Sequence, residues 1–169
     1  MINIILAVII AIFCFLIFQN SKKAKQQAGI NAQIEADYLV ANAKVEGVIE
    51  TASGLQYKVL HKGESENTPT PTSKVNVHYH GTLIDGTVFD SSVERKTPIS
   101  FGLNQVIKGW TEGLQLMSPG DKYIFYVPHQ LAYGEKRVGS IPPASLLIFE
   151  VELWLLSLNT RDKKVLLTL

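Results

Sequence analysis

From Val75 to Leu83 the chain alternates without a break. Val75, Val77, Tyr79, Gly81 and Leu83 fall on one side, and Asn76, His78, His80 and Thr82 on the other. This period of two predicts a strand with one buried face. Asp85-Gly86 follows as a turn signal that brings Val88-Phe89 back as a partner strand. Leu55, Tyr57 and Val59 alternate with Gln56, Lys58 and Leu60, predicting another strand. Leu147, Phe149, Val151 and Leu153 alternate with Ile148, Glu150 and Glu152, predicting a last one with a wet face. The stretch from Lys122 to Val127 is apolar on both faces and belongs in the middle of a sheet. Between these elements, residues 64–74 form a loop with Pro69 and Pro71 among Ser, Thr and Asn, and residues 98–101 a short extended piece.

The period changes at Trp110. Trp110, Gly113, Leu114 and Met117 are three, four and seven residues apart and share one helical face. Glu112 is expected in the first turn, near the positive end of the helix dipole, and Pro119-Gly120 ends the helix. A single short helix among strands must bury its apolar face on their sheet. The expected fold class is therefore α+β, several antiparallel strands with one principal helix, over residues 54–156. Trp110, where helix and sheet meet, is either plain core or the floor of an apolar cleft.

The N-terminal part reads differently. Ile2 to Phe18 is aliphatic or Phe apart from Asn3 and Cys14. At about 1.5 Å per residue it spans roughly 25 Å, close to a bilayer's hydrocarbon thickness. No Lys or Arg precedes it, and Phe18-Gln19-Asn20-Ser21 is a poor cleavage context. A transmembrane anchor over residues 1–20 is thus favoured over a signal peptide, and the lack of a polar face argues against a core helix. Lys22, Lys23 and Lys25 place the following domain on the cytoplasmic side by the positive-inside rule. Residues 21–53 are expected to hold a polar linker and an amphipathic helix. Ile30, Ile34, Tyr38, Ala41 and Val45 recur at helical spacing, with Asn31, Glu35, Asn42 and Glu46 elsewhere on the wheel and Gly47 at the end. That helix packs on the domain, pairs with a second copy or serves as a stalk. The tail over residues 157–169 has no assignment from its pattern.

Composition narrows the function. A net charge of +1 predicts no nucleic-acid surface. The single cysteine, Cys14, rules out an intrachain disulfide and a cysteine-based zinc site. Gly-x-Ser-x-Gly, P-loop and dinucleotide fingerprints are absent from the sequence. His78 and His80 are two apart on a strand without a third ligand nearby, which reads as solvent-facing histidine and not as a metal site. His61 and His129 have no motif context. What remains is a set of aromatic and branched residues at element ends.

Those residues occur in a recognisable order. Val75-x-Val77-His78-Tyr79-x-Gly81-x-Leu83-x-Asp85-Gly86-x-x-Phe89-Asp90-Ser91-Ser92 resembles the FKBP-type peptidyl-prolyl cis-trans isomerases. So do Val106-Ile107-x-Gly109-Trp110-x-Glu112-Gly113, Ala132-Tyr133-Gly134, Ile141-Pro142-Pro143 and the run from Leu147 to Leu153. The segment from Ser53 to Leu60, with the helix before it, is similar to the bacterial macrophage-infectivity-potentiator branch.

The resemblance implies a twisted antiparallel sheet wrapped around one short helix, with a proline pocket between them, preceded here by a transmembrane helix and an amphipathic helix. It implies isomerisation of X–Pro bonds without metal or cofactor. Trp110 would be the floor of the pocket, with Tyr79, Phe89, Val106 and Phe149 as walls. The Ile107 backbone N–H and the Tyr133 hydroxyl would donate to substrate carbonyls. Asp90 would sit at the edge, paired with Arg95 and Tyr79, and Ile141 would close the loop side. Taken singly, Val106 and Phe149 read as core, Tyr79 as a core tyrosine and Asp90 as a turn residue; only their joint order reverses this. Implied partners are proline-containing polypeptides, a macrolide inhibitor, the membrane through residues 2–18 and a second copy through residues 30–46, with no nucleic acid. The expected location is a bacterial inner membrane, on the cytoplasmic side by charge bias and the periplasmic side by resemblance. The sequence departs from many eukaryotic members at Ile99, where they carry an aromatic wall, and in the loop at Glu135, Lys136, Arg137 and Val138. These changes bear on macrolide affinity and substrate preference. The alternative reading is a non-catalytic chaperone or adaptor module that uses the same pocket.

Overall fold

The computed structural model describes the backbone of residues 2–157 and the side chains of residues 12–154. The alternations become seven strands: β1 (Val48–Glu50), β2 (Gln56–His61), β3 (Lys74–Thr82), β4 (Val88–Ser91), β5 (Ile99–Gly102), β6 (Lys122–Val127) and β7 (Leu147–Ser157). They form one sheet in the order β1-β2-β6-β7-β3-β4, with β5 also on β3, and every pairing is antiparallel. The face expected from alternation is the buried one. Val75, Val77 and Tyr79 of β3 and Phe149, Val151 and Leu153 of β7 all join one core. β6, apolar on both faces, lies between β2 and β7. β1 was not anticipated, since a three-residue strand with two exposed positions has no period to read.

One feature of β4 re-aims side chains. Gly81 pairs with Asp90 but Thr82 pairs with Val88, so Phe89 is an extra residue in the ladder. Such a bulge breaks the alternation and lets consecutive residues, Phe89 and Asp90, address the same cavity. The Phe89 ring lies over Gly81, where a Cβ would stand 2.8 Å from it.

The short helix α2 (Lys108–Gly113) continues as a 3-10 turn through Leu116 and lays Trp110, Gly113 and Leu114 into the core. It begins two residues earlier than the pattern suggested. Glu112 is therefore near its C-terminal end and not in its first turn, and its carboxylate accepts a 2.7 Å hydrogen bond from Ser53 Oγ. Two glycines seat the helix: Gly109 lies against Val127 and Gly113 against Phe125, each closer than a Cβ would tolerate.

The N-terminal expectations are corrected. In place of an anchor, a linker and an amphipathic helix there is one continuous helix, α1 (Ile2–Asn42). Among the described residues no helix is long and apolar enough to cross a membrane. The membrane anchor, the membrane contact through residues 2–18 and the inner-membrane location drawn from them are therefore not upheld. The apolar run is short of the roughly 20 residues a span needs, and it passes without a break into Lys22, Lys23 and Lys25. The packing of α1 is also the reverse of what amphipathicity suggests. Glu35 and Asn42 are buried against the domain, while Ile30 and Ile34 are exposed, as is Val45 just beyond the helix end; of the expected apolar face Tyr38 packs inward, on Tyr126. The polar groups can be inward because each finds a partner there: Asn42 Nδ2 donates to Gln56 Oε1 at 2.8 Å, and Gln56 Nε2 donates to the Leu39 carbonyl at 2.9 Å. Of the tail expected over residues 157–169, all but Ser157 lies outside the described residues.

Candidate functional site

Between the sheet, α2 and the segment after β6 lies a cavity of about 700 Å³. All nine residues singled out in the sequence line it: Tyr79, Phe89, Asp90, Val106, Ile107, Trp110, Tyr133, Ile141 and Phe149. Trp110, at the first turn of α2, is its floor and is held by rings from three strands. Tyr79 meets it edge to face at 5.1 Å and 86°, Phe149 at 5.0 Å and 78°, and Phe101 at a tilt of 46° and 5.4 Å. Phe89 in turn stands edge to face on Phe149 at 5.3 Å. Interlocked T-shaped contacts of this kind leave each ring little freedom. The indole is 5% exposed, and its Nε1–H has no hydrogen-bond partner among the described residues.

The cavity has one charged corner. The Tyr79 hydroxyl and the Arg95 guanidinium both donate to the Asp90 carboxylate, and Arg95 also donates to the Tyr79 oxygen at 3.1 Å. Burial pushes the Asp90 carboxyl up. The hydrogen bonds from Tyr79 and Arg95, with the guanidinium charge, outweigh it and hold the carboxyl below the usual carboxylate range. Burial raises the Tyr79 hydroxyl, and its hydrogen bond to Asp90 raises it further. The phenol is therefore held neutral and turned toward the carboxylate.

The opposite wall is the segment from Pro128 to Ser145, which contributes Tyr133, Val138, Gly139, Ser140 and Ile141. Tyr133 is 40% exposed and Ile141 buried. Six residues line the cavity beyond the nine expected: Val138, Gly139 and Ser140 on this wall, and Ile99, Phe101 and Gln105 elsewhere. Phe101 had a legible signal, since it is two residues from Ile99 on one short strand and so shares its face. Gln105, in a 3-10 turn between β5 and α2, had none. His78 and His80 lie outside the cavity and contact Ser92 and Ser91 at 2.7 and 3.0 Å. No group of three metal-ligating side chains occurs among the described residues.

A family profile described as FKBP-type peptidyl-prolyl cis-trans isomerase matches residues 65–154, which carry every residue lining this site. The chain belongs to that family. A second profile, described as the domain amino terminal to FKBP-type peptidyl-prolyl isomerase, matches residues 9–59 and so spans most of α1 with β1 and much of β2. The FKBP chain is 55% identical over 131 residues to the FKBP-type peptidyl-prolyl cis-trans isomerase FkpA of Aeromonas hydrophila, covering 78% of this chain and 48% of the relative. It is 50% identical over 124 residues to the peptidyl-prolyl cis-trans isomerase Mip of Coxiella burnetii, covering 73% and 54%. It therefore spans about half the length of these curated relatives. The crystal structure of FkpA from Escherichia coli superposes with a TM-score of 0.86 at 38% identity, covering 90% of this chain and 71% of that one. With 90% of this chain covered, the likeness to that structure reaches into α1.

Proposed function

We propose that the chain is a peptidyl-prolyl cis-trans isomerase that acts on X–Pro bonds of polypeptides in this cavity. One observation carries the reading: the indole floor, the aromatic walls and the Tyr79–Asp90–Arg95 corner converge on a single apolar cavity in a chain of this family. The reaction requires rotation about an amide with a barrier of about 18–20 kcal/mol. Resonance makes the planar amide more polar than the twisted one. Removing water therefore destabilises the planar ground state more than the transition state, and hydrogen bonds that fit the twisted form add differential binding. In this mechanism Trp110 receives the proline ring, with Tyr79, Phe89, Val106 and Phe149 around it. The Ile107 N–H and the Tyr133 hydroxyl donate to substrate carbonyls. Asp90, ionised and oriented by Tyr79 and Arg95, polarises the edge, and Ile141 closes the loop side. The same apolar enclosure suits a macrolide inhibitor. Pairing of two copies through residues 30–46 is supported by the exposed Ile30, Ile34 and Val45.

A protease-coupled assay with a proline peptide tests the reading. Acceleration of cis-to-trans conversion that is lost in Trp110→Ala is the expected result. Unfolded polypeptides that bind without any acceleration would instead assign the cavity to a chaperone or adaptor module.

A further inference from the structure

Glu35 is 3% exposed on α1, and both of its carboxylate oxygens are used on one residue. Oε2 accepts the His129 backbone N–H at 2.8 Å and Oε1 pairs with His129 Nδ1 at 2.7 Å. One helical turn away, Asn31 Nδ2 donates to the Pro143 carbonyl at 2.7 Å. These two contacts fall at the two ends of the segment that walls the cavity. Inside it, the His129 carbonyl accepts the N–H groups of Ala132 at 3.0 Å and Gly134 at 2.8 Å, the residues on either side of Tyr133. The Gly134 carbonyl then accepts the Ala144 N–H at 2.9 Å, beside Pro143. A continuous path of hydrogen bonds thus runs from Glu35 through His129 to both neighbours of Tyr133, and back through Ala144 and Pro143 to Asn31.

Burying a carboxylate is costly unless it is fully paired, and α1 does not need Glu35 to stay on the sheet. Asn42 and Leu39 already bind Gln56, and Tyr38 packs on Tyr126 with ring centroids 6.1 Å apart. What Glu35 and Asn31 add is a grip on the segment alone. Resting on the isomerase reading above, we infer that Glu35 and Asn31 are positioning residues for the reaction. By holding both ends of residues 128–145, α1 fixes the Tyr133 hydroxyl and Ile141 at the cavity wall.

The test uses the full chain with Glu35→Ala, Glu35→Gln and Tyr133→Phe, and the double variant of Glu35→Ala with Tyr133→Phe. Glu35→Ala is expected to lower kcat/KM about fivefold to tenfold, the scale of a loosened contact at a reacting group. Glu35→Gln keeps an oxygen for the His129 N–H and is expected to restore most of it. In the Tyr133→Phe background, Glu35→Ala is expected to cost less than about twofold, because residues that act through one another are not additive. Hydrogen exchange at Ala132 and Gly134 should quicken in Glu35→Ala while β6 and β7 stay protected. A loss that is fully additive with Tyr133→Phe, or turnover that is unchanged while exchange quickens, overturns the inference. An unsubstituted chain with no isomerase activity overturns the function reading instead. Exchange at Ala132 and Gly134 then still decides whether α1 orders the segment.

Discussion

Gly109 on α2 lies so close to Val127 on β6 that a Cβ there would stand 2.4 Å from Val127 Cγ1. The missing side chain is what lets the helix sink onto the sheet and bring Trp110, the next residue, to the cavity floor. Gly109→Ala must push α2 or Val127 aside, and overpacking of this kind costs about 1–3 kcal/mol. The expected outcome is a lower urea midpoint together with slower isomerisation, because the helix that moves carries the floor. Gly29→Ala is the contrast. Gly29 is an exposed position on α1 with nothing within 4 Å of a Cβ, so alanine should stabilise by about 0.5–1 kcal/mol through helix propensity. Equal effects at the two glycines would contradict the close-approach argument.

Trp110→Ala should lower turnover and stability together. The indole is in contact with Tyr79, Phe101 and Phe149 at ring separations of 5.0–5.4 Å, so its removal opens a void beneath the cavity as well as deleting the floor. Truncation of a buried tryptophan costs about 3–5 kcal/mol. Denaturant unfolding and the proline-peptide assay on the same preparation check it. A variant that loses turnover but keeps its full stability would show the ring to be a pocket residue without a role in the core.

The Tyr133→Phe variant separates the two roles in the other direction. Tyr133 is 40% exposed, so loss of its hydroxyl should cost less than about 0.5 kcal/mol of stability, as for other surface changes. Turnover should fall if the hydroxyl donates to a substrate carbonyl. Loss of both in equal measure would contradict its assignment.

Why these residues were legible, and others not, follows from how far each signal reaches. The strands with a buried face betray themselves through alternation with immediate neighbours, as Val75, Val77 and Tyr79 do. The cavity residues were found through their order in the family pattern, since no local rule separates a pocket phenylalanine such as Phe149 from a core one. The inward face of α1 is hidden from the pattern for a physical reason. Amphipathic patterning assumes that apolar residues are buried, but Glu35 and Asn31 are satisfied by His129 and Pro143, 94 and 112 positions away. Partners at that separation leave no periodic trace, and His129 looked like a histidine without context because half of its context is on another element. The bulge at Phe89 was invisible for a similar reason, since it exists only relative to the register of β3.

Acid sensitivity is expected to run through Asp121, whose side chain is sealed from solvent at the start of β6. Its carboxylate accepts from Lys62 Nζ at 2.8 Å, from the Gly63 N–H at 2.7 Å and from the Ser118 N–H at 3.0 Å, tying the end of β2 to the turn before β6. Burial pushes the carboxyl up, but the Lys62 ammonium and then the two amides outweigh it and hold it below the ordinary carboxylate range. Because the folded value is the lower one, the unfolded chain binds more protons between the two values, and stability falls as pH falls. The contribution is complete above about pH 4, the unperturbed carboxylate value, and disappears as pH drops through the folded value. Asp121→Ala leaves the buried Ser118 N–H and the half-buried Gly63 N–H without their acceptor; at about 1–3 kcal/mol for a buried donor and less for a half-buried one, a loss of about 2–4 kcal/mol is expected at neutral pH. Urea midpoints measured for both proteins from pH 7 to pH 3 should draw together below about pH 4, where the native chain begins to lose this contribution. A gap that stays constant over that range would show that the aspartate acts through its shape and not through its charge.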